Sequence, residues 1–220
     1  MGSNRRTSFF HRNGLSLVLL GLFLVFLIGQ TWSGWITCNE ELAAKGGAAL
    51  TLGRYLGSGH FVSATFENWE SEFLQMGMYV LLTVGLRQKG SAESRPLDPA
   101  EEKERVDPGT TPWPVRRGGL WKVLYANSLS LAYALLFLLT FIAHSCGSWM
   151  HENQLRAVAG EAPIGWLDHL GSAQFWFESM QNWQSEFLAV LSIVVLSIYL
   201  RQDKSPESKP VHAPHSQTGA

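Results

Sequence analysis

Residues 13–96 laid over residues 127–210, a shift of 114 positions, align without a gap and are identical at 32 of 84 sites. The longest match sets Asn68-Trp69-x-Ser71-Glu72-Phe73-Leu74 over Asn182-Trp183-x-Ser185-Glu186-Phe187-Leu188. Asn13-x-Leu15-Ser16-Leu17 recurs at Asn127, Leu56-Gly57-Ser58 at Leu170, and Leu86-Arg87-Gln88 at Leu200. A sequence that repeats itself at this length must fold as two similar units, so whatever one copy builds the other must build as well.

What each copy builds follows from its apolar runs. Leu15–Ile28, Phe73–Leu86, Leu129–Ala143 and Phe187–Leu200 carry no charge. At the helical rise, a run of this length covers about 21 Å, short of a hydrocarbon core roughly 30 Å thick. The flanks supply the difference, with Trp35 and Trp149 at the ends of the first and third. The second and fourth lengthen backwards through Phe61–Trp69 and Phe175–Trp183 into helices that tilt or begin in the interface. Hydrophobic residues make up 46% of the chain and charged residues 16%, which excludes a disordered tail protein and a nucleic-acid binder. The expectation is an all-α integral membrane protein with four transmembrane helices, formed by two parallel tandem copies of a two-helix unit.

Charge then sets orientation. Of 17 Lys and Arg, 14 fall before residue 13, between 87 and 122, or after 200. Those segments share one side if the chain crosses four times, and positive loops stay cytoplasmic. The expected organisation is a cytoplasmic N-terminus (1–12), a first repeat (13–96, helices about 14–36 and 60–87) and a flexible cytoplasmic linker (97–120). A second repeat (121–210, helices about 121–149 and 174–201) and a cytoplasmic tail (211–220) follow. The basic start, Arg5-Arg6 ahead of Phe9-Phe10, resembles an export signal, but its apolar segment recurs internally at Asn127, where a cleaved signal has no place. Those arginines read as a cytoplasmic anchor.

Between the helices of each copy lies a loop of about 25 residues. Thr51 to Leu56 reads there as a short interfacial helix capped by Thr51, with 165–170 as its counterpart. Gln88 to Gly119, with five prolines and the run Glu101-Glu102-Lys103-Glu104-Arg105, reads as solvated and flexible. Gly14, Gly21 and Gly29 form a smooth stripe suited to close helix packing. Cys38 and Cys146 stand at non-equivalent repeat positions and pair only if their helix ends are adjacent.

Catalytic signatures are missing. His151-Glu152 begins like a zinc-protease motif, but Leu155 stands where the second histidine belongs. There is no phosphate-binding glycine loop and no nucleophile elbow. No catalytic, cofactor-binding or metal-ligating set is assigned, and His11, His60, His144, His151, His169, His212 and His215 read as scattered. One polar constellation remains: Asn68 and Glu72, four apart on one helix face, and their copies Asn182 and Glu186. Carboxylates at the outer edge of the hydrocarbon, two facing each other, would bind a cation or pass a proton. Glu67 and Glu70, replaced by Gln181 and Gln184 in the second copy, read as surface residues.

The duplicated Asn-Trp-x-Ser-Glu-Phe-Leu and the endings Ser91-Ala92-Glu93-Ser94-Arg95-Pro96 and Ser205-Pro206-Glu207-Ser208-Lys209-Pro210 resemble an uncharacterised family of bacterial four-helix integral membrane proteins, known only as a domain of unknown function. The resemblance implies a bacterial inner-membrane location and carries no activity.

Two readings follow. The first is a structural or interaction protein of the bacterial cytoplasmic membrane, not an enzyme, with the bilayer, further copies of itself or a cytosolic partner of linker or tail as its associations. The alternative is a small transporter or channel component using Glu72 and Glu186.

Overall fold

The computed structural model describes residues 8–102 and 106–219. Arg5 and Arg6 of the basic start, and Lys103, Glu104 and Arg105 of the linker run, lie outside them. Among the described residues there are helices and no strands. The long helices are α1 (Phe9–Ala44), α3 (Gly59–Gly85), α6 (Ser128–Val158) and α8 (Ala173–Tyr199), and the short ones α2 (Leu52–Tyr55), α4 (Trp113–Arg117), α5 (Gly119–Ala126) and α7 (Trp166–Leu170).

Local chemistry sets many of the ends. Ser8 caps α1 by accepting from His11 N, and Thr51 caps α2 by accepting from Arg54 N, as its sequence position suggests. Ser58 and Ser172 cap α3 and α8 by accepting from Phe61 N and Phe175 N. At the other ends the Arg87 guanidinium donates to the carbonyls of Thr83, Val84 and Leu86, and Arg201 does the same for Ser197, Ile198 and Leu200. A cation on the last, otherwise unpaired carbonyls also complements the helix dipole.

α1, α6 and α8 are long and apolar enough to cross a membrane, and the apolar stretch of α1 has none of its residues buried. Apolar side chains turned outward along whole helices point to a membrane location. α3 matches α8 at 27 residues, but Glu67, Glu70 and Glu72 shorten its apolar run, and it is not one of the three.

The chain divides into two compact units. In the first, residues 1–64 with 146–166, Cys38, Leu42, Tyr55 and Leu155 form a buried core flanked by Trp35, Leu50, Phe61 and Val158. Trp35 Nε1 and Asn39 Nδ2 both donate to the Leu50 carbonyl, at 2.7 and 3.1 Å, and Leu50 N returns to Asn39 Oδ1 at 2.6 Å. Trp149 and Asn153 hold Ile164 in the same three bonds, at 2.8, 3.1 and 2.8 Å. These residues stand 114 positions apart, so the repeated sequence makes a repeated clamp. Both cysteines are free thiols.

One expectation needs correction here. A side chain at Gly14, Gly21 or Gly29 would meet nothing within 4 Å among the described residues, so that stripe packs against none of them. Close approach falls instead at Gly59 and Gly147: a Cβ on Gly59 would collide with the backbone of His151, and one on Gly147 would sit 2.5 Å from Ser63 N.

In the second unit, residues 65–145 with 167–220, Phe175 is fully buried among Phe141, His144, His169 and Trp176. The start of the linker and the tail are bonded to each other rather than merely solvated. Lys209 Nζ donates to the carbonyls of Gly90, Pro214, His215 and Gln217, Ser91 Oγ meets Ser197 Oγ at 3.1 Å, and Gly219 N reaches Ser91 O. Gly90 sits at φ +83°, a turn that a side chain would strain.

Candidate functional site

Inside the second unit, α3, α6 and α8 bring a carboxylate, an imidazole and two further carboxylates together. Glu70 and His144 are each 0% exposed, and His144 Nδ1 lies 2.8 Å from Glu70 Oε2. The other Glu70 oxygen accepts from Trp183 Nε1 at 2.9 Å. The His144 ring stacks on Phe175 at 5.0 Å between centroids, which fixes its plane. Glu67 accepts from the Asn182 side-chain amide, whose Nδ2 also donates to the Glu178 carbonyl. Ligand atoms of Glu67, His144 and Glu178 lie within 4.8 Å of one another.

Helical geometry explains which residues meet. Glu67, Glu70 and Ser71 stand at i, i+3 and i+4, and so do Glu178 and Asn182 at i and i+4, each set on one face. Ser71 and Gln75 continue the buried stripe on α3. The next residue along a helix turns by about 100°, which carries Asn68 and Glu72 onto a neighbouring face.

The protonation logic follows from the partners. Nδ1 lies at hydrogen-bond distance from the carboxyl, and with Glu70 ionised it carries the hydrogen and donates it. Nε2 is buried and makes no hydrogen bond among the described residues; Glu178 Oε2 stands 4.0 Å from it. A bare lone pair there would face negative oxygen, which is unfavourable in a low-dielectric interior. A proton or a cation at Nε2 would turn that repulsion into attraction. The geometry is that of a seat for one positive charge.

The four residues singled out in the sequence are placed differently. Asn68 and Glu72 are exposed, while Asn182 and Glu186 are half-buried. Asn182 joins the buried centre through Glu67, not through Asn68. The Glu186 peptide oxygen accepts from Gln75 Nε2 at 2.8 Å. One of the four, Asn182, thus belongs to the buried cluster.

Glu67 and Glu70 are not surface residues, and that reading is corrected: Glu70 has no exposure at all. A signal was present in the repeat. Glu67, Glu70, His144 and Glu178 face Gln181, Gln184, Gln30 and Ala64 at the 114-residue shift. The titratable groups of the centre occupy sites where the copies differ, and attention to the identities passed over them.

Residues 6–220 match the domain of unknown function family DUF6766, and the chain belongs to that family. No curated protein and no solved structure matches it significantly.

Proposed function

We propose that this DUF6766 protein is a four-pass protein of the bacterial cytoplasmic membrane, a small transporter or channel component that takes up a proton or cation at Glu70 and His144. The observation that carries the reading is the fully buried Glu70–His144 contact with Glu67 and Glu178 gathered around Nε2. An ionisable group within membrane helices is costly, and Glu/His chains there are the usual material of proton relays. The proposal keeps the transport reading but moves its centre from Glu72 and Glu186 to the residues around His144.

The four passes are α1, α3, α6 and α8, with both termini and the linker on the cytoplasmic side. Support comes from the lysine and arginine distribution, from the matched Arg87 and Arg201 at the ends of α3 and α8, and from the paired Trp–Asn clamps. The polar half of α3 becomes more tolerable in a bilayer because two of its three carboxylates, Glu67 and Glu70, turn toward Asn182, His144 and Trp183. The bilayer is the partner this requires, and no enzymatic step is part of the proposal.

The deciding experiment is potential-driven proton and monovalent-cation flux in proteoliposomes. The wild type should conduct above protein-free liposomes, Glu70→Gln and His144→Gln should lose at least tenfold, and Glu72→Gln/Glu186→Gln should retain most of it. Flux lost only in the Glu72/Glu186 variant would return the pathway to those carboxylates. No flux across several cations and pH values would leave the structural or interaction reading in its place.

A further inference from the structure

The first unit holds a second cluster, independent of the transport reading, in which two imidazoles and one carboxylate converge from three helices. Glu41 lies near the end of α1, His60 in the first turn of α3 and His151 in the last third of α6. His151 Nε2 stands 3.0 Å from Glu41 Oε2. The His60 and His151 rings meet edge to face at 4.9 Å between centroids. Ligand atoms of all three fall within 4.8 Å of one another.

We propose that Glu41, His60 and His151 form a binding site for a divalent transition-metal cation, zinc being the ion whose chemistry fits best. Two imidazoles and one carboxylate are a recognised zinc donor set that leaves a fourth position for water or a further ligand. With bonds of about 2.0–2.1 Å, the edge of a tetrahedron is about 3.3 Å, close to the 3.0 Å already separating His151 and Glu41. His60 needs to close by at most about 1.5 Å, within the reach of side-chain rotation.

Three further features favour a built site over a chance meeting. The Tyr55 hydroxyl lies 3.3 Å from His60 Nδ1, so an Nδ1–H can donate to it and leave Nε2 as the ligating lone pair. That outer hydrogen bond is the arrangement that fixes a metal-bound imidazole. Tyr55 is itself fully buried, in the core with Cys38 and Leu42, and so cannot swing away. Gly59, next to His60, permits the backbone approach that sets His60 beside His151, since a Cβ there would sit 2.6 Å from the Gly147 carbonyl oxygen. A route in exists as well: the Glu41 side chain is 38% exposed and that of His151 18%. At the equivalent repeat positions stand Leu155, Gln174 and Thr37, which cannot form such a set.

The test uses the full chain purified in detergent, stripped with EDTA and titrated with zinc by calorimetry and with cobalt by its visible absorption. One zinc per chain should bind, cobalt should give the strong absorption of a tetrahedral site, and zinc should displace it. His60→Gln and His151→Gln should each weaken zinc at least tenfold. Tyr55→Phe, which keeps every ligand, should weaken it about tenfold, the lower range for an outer-shell partner. His212→Ala/His215→Ala should change nothing. If stoichiometric binding survives loss of both His60 and His151, follows His144 or the tail histidines, or is absent in the wild type, the site does not exist. Zinc should also raise the melting temperature of the wild type but not of Glu41→Gln, which separates a lost ligand from a lost fold.

Discussion

At the scale of single residues the fully buried Glu70 and His144 dominate. Removing one partner of a buried hydrogen bond leaves the other group unsatisfied and costs about 1–3 kcal/mol, more where a charge is stranded. Glu70→Gln and His144→Gln should each destabilise the protein by about that much. The double variant should cost clearly less than the sum, because two neutral amides replace two coupled groups. Denaturant unfolding of the four proteins in one detergent measures the coupling, and strict additivity would mean that the pair does not interact. A second carboxyl, Glu93, is held outside the long helices. Burial pushes its pKa up, the Tyr79 hydroxyl opposes this by donating to it at 2.8 Å, and the charge of Glu207 adds to the rise. The folded state therefore binds this proton more tightly than the unfolded chain does. Its contribution is complete below the ordinary glutamate range and is lost as pH rises through the elevated folded value. Glu93→Gln should raise the melting temperature at neutral pH and remove that part of the pH dependence. An unchanged acid limb in its melting profile would refute the assignment. The sequence offered both residues openly, but burial is a property of neighbours. Apart from its replacement by Gln184 in the second copy, Glu70 shows no mark that separates it from the exposed Glu72 two positions on.

Among the elements, glycines control how closely helices approach, and they are not the ones that a stripe in the sequence suggests. A Cβ at Gly147 would sit 2.5 Å from Ser63 N and 2.9 Å from Val62 Cγ1. Gly147→Ala should cost about 1–3 kcal/mol, the usual range for overpacking a tight contact, whereas Gly21→Ala should be neutral or slightly stabilising. Thermal unfolding of the two variants in one detergent distinguishes these outcomes. The helices themselves were largely legible. Apolar runs and the 114-residue repeat place α1, α3 and α8 within about two residues of their centres, whereas α6 is centred eight residues beyond the expected 121–149. Their ends were not, for local reasons. α1 runs to Ala44 instead of stopping near 36, because its last turns, though more polar, bury Cys38 and Leu42. α6 continues to Val158 instead of 149, because Leu155 reaches the core and Asn153 clamps Ile164. The same stretch breaks at its start: Asn127 turns its amide onto the Val123 carbonyl and separates α5 from α6.

For the whole molecule, the proposed four-pass topology predicts where single cysteines react. In a chain with Cys38 and Cys146 replaced by serine, single cysteines at Lys45 and Glu161 should react with a membrane-impermeant maleimide in intact cells. Cysteines at Asp98 and Asp203 should react only after permeabilisation. If α3 did not cross, Asp98 and Lys45 would label alike, and a three-pass topology would replace the four-pass one. The repeat has a final consequence. The first copy brings Glu67 and Glu70 to the buried centre but has Gln30 and Ala64 where the second has His144 and Glu178; the second has Gln181 and Gln184 where the first has its glutamates. Two identical halves paired about an axis would offer any proton a pair of wells of equal depth, made of acids alone from the first copy. Covalent joining lets the halves drift apart in composition and lifts that degeneracy, so acid and base become different residues. Paired copies of either half, co-expressed without the other, should recover the helices but not the centre. Proteoliposomes of such a pair that conduct like the intact chain would contradict this.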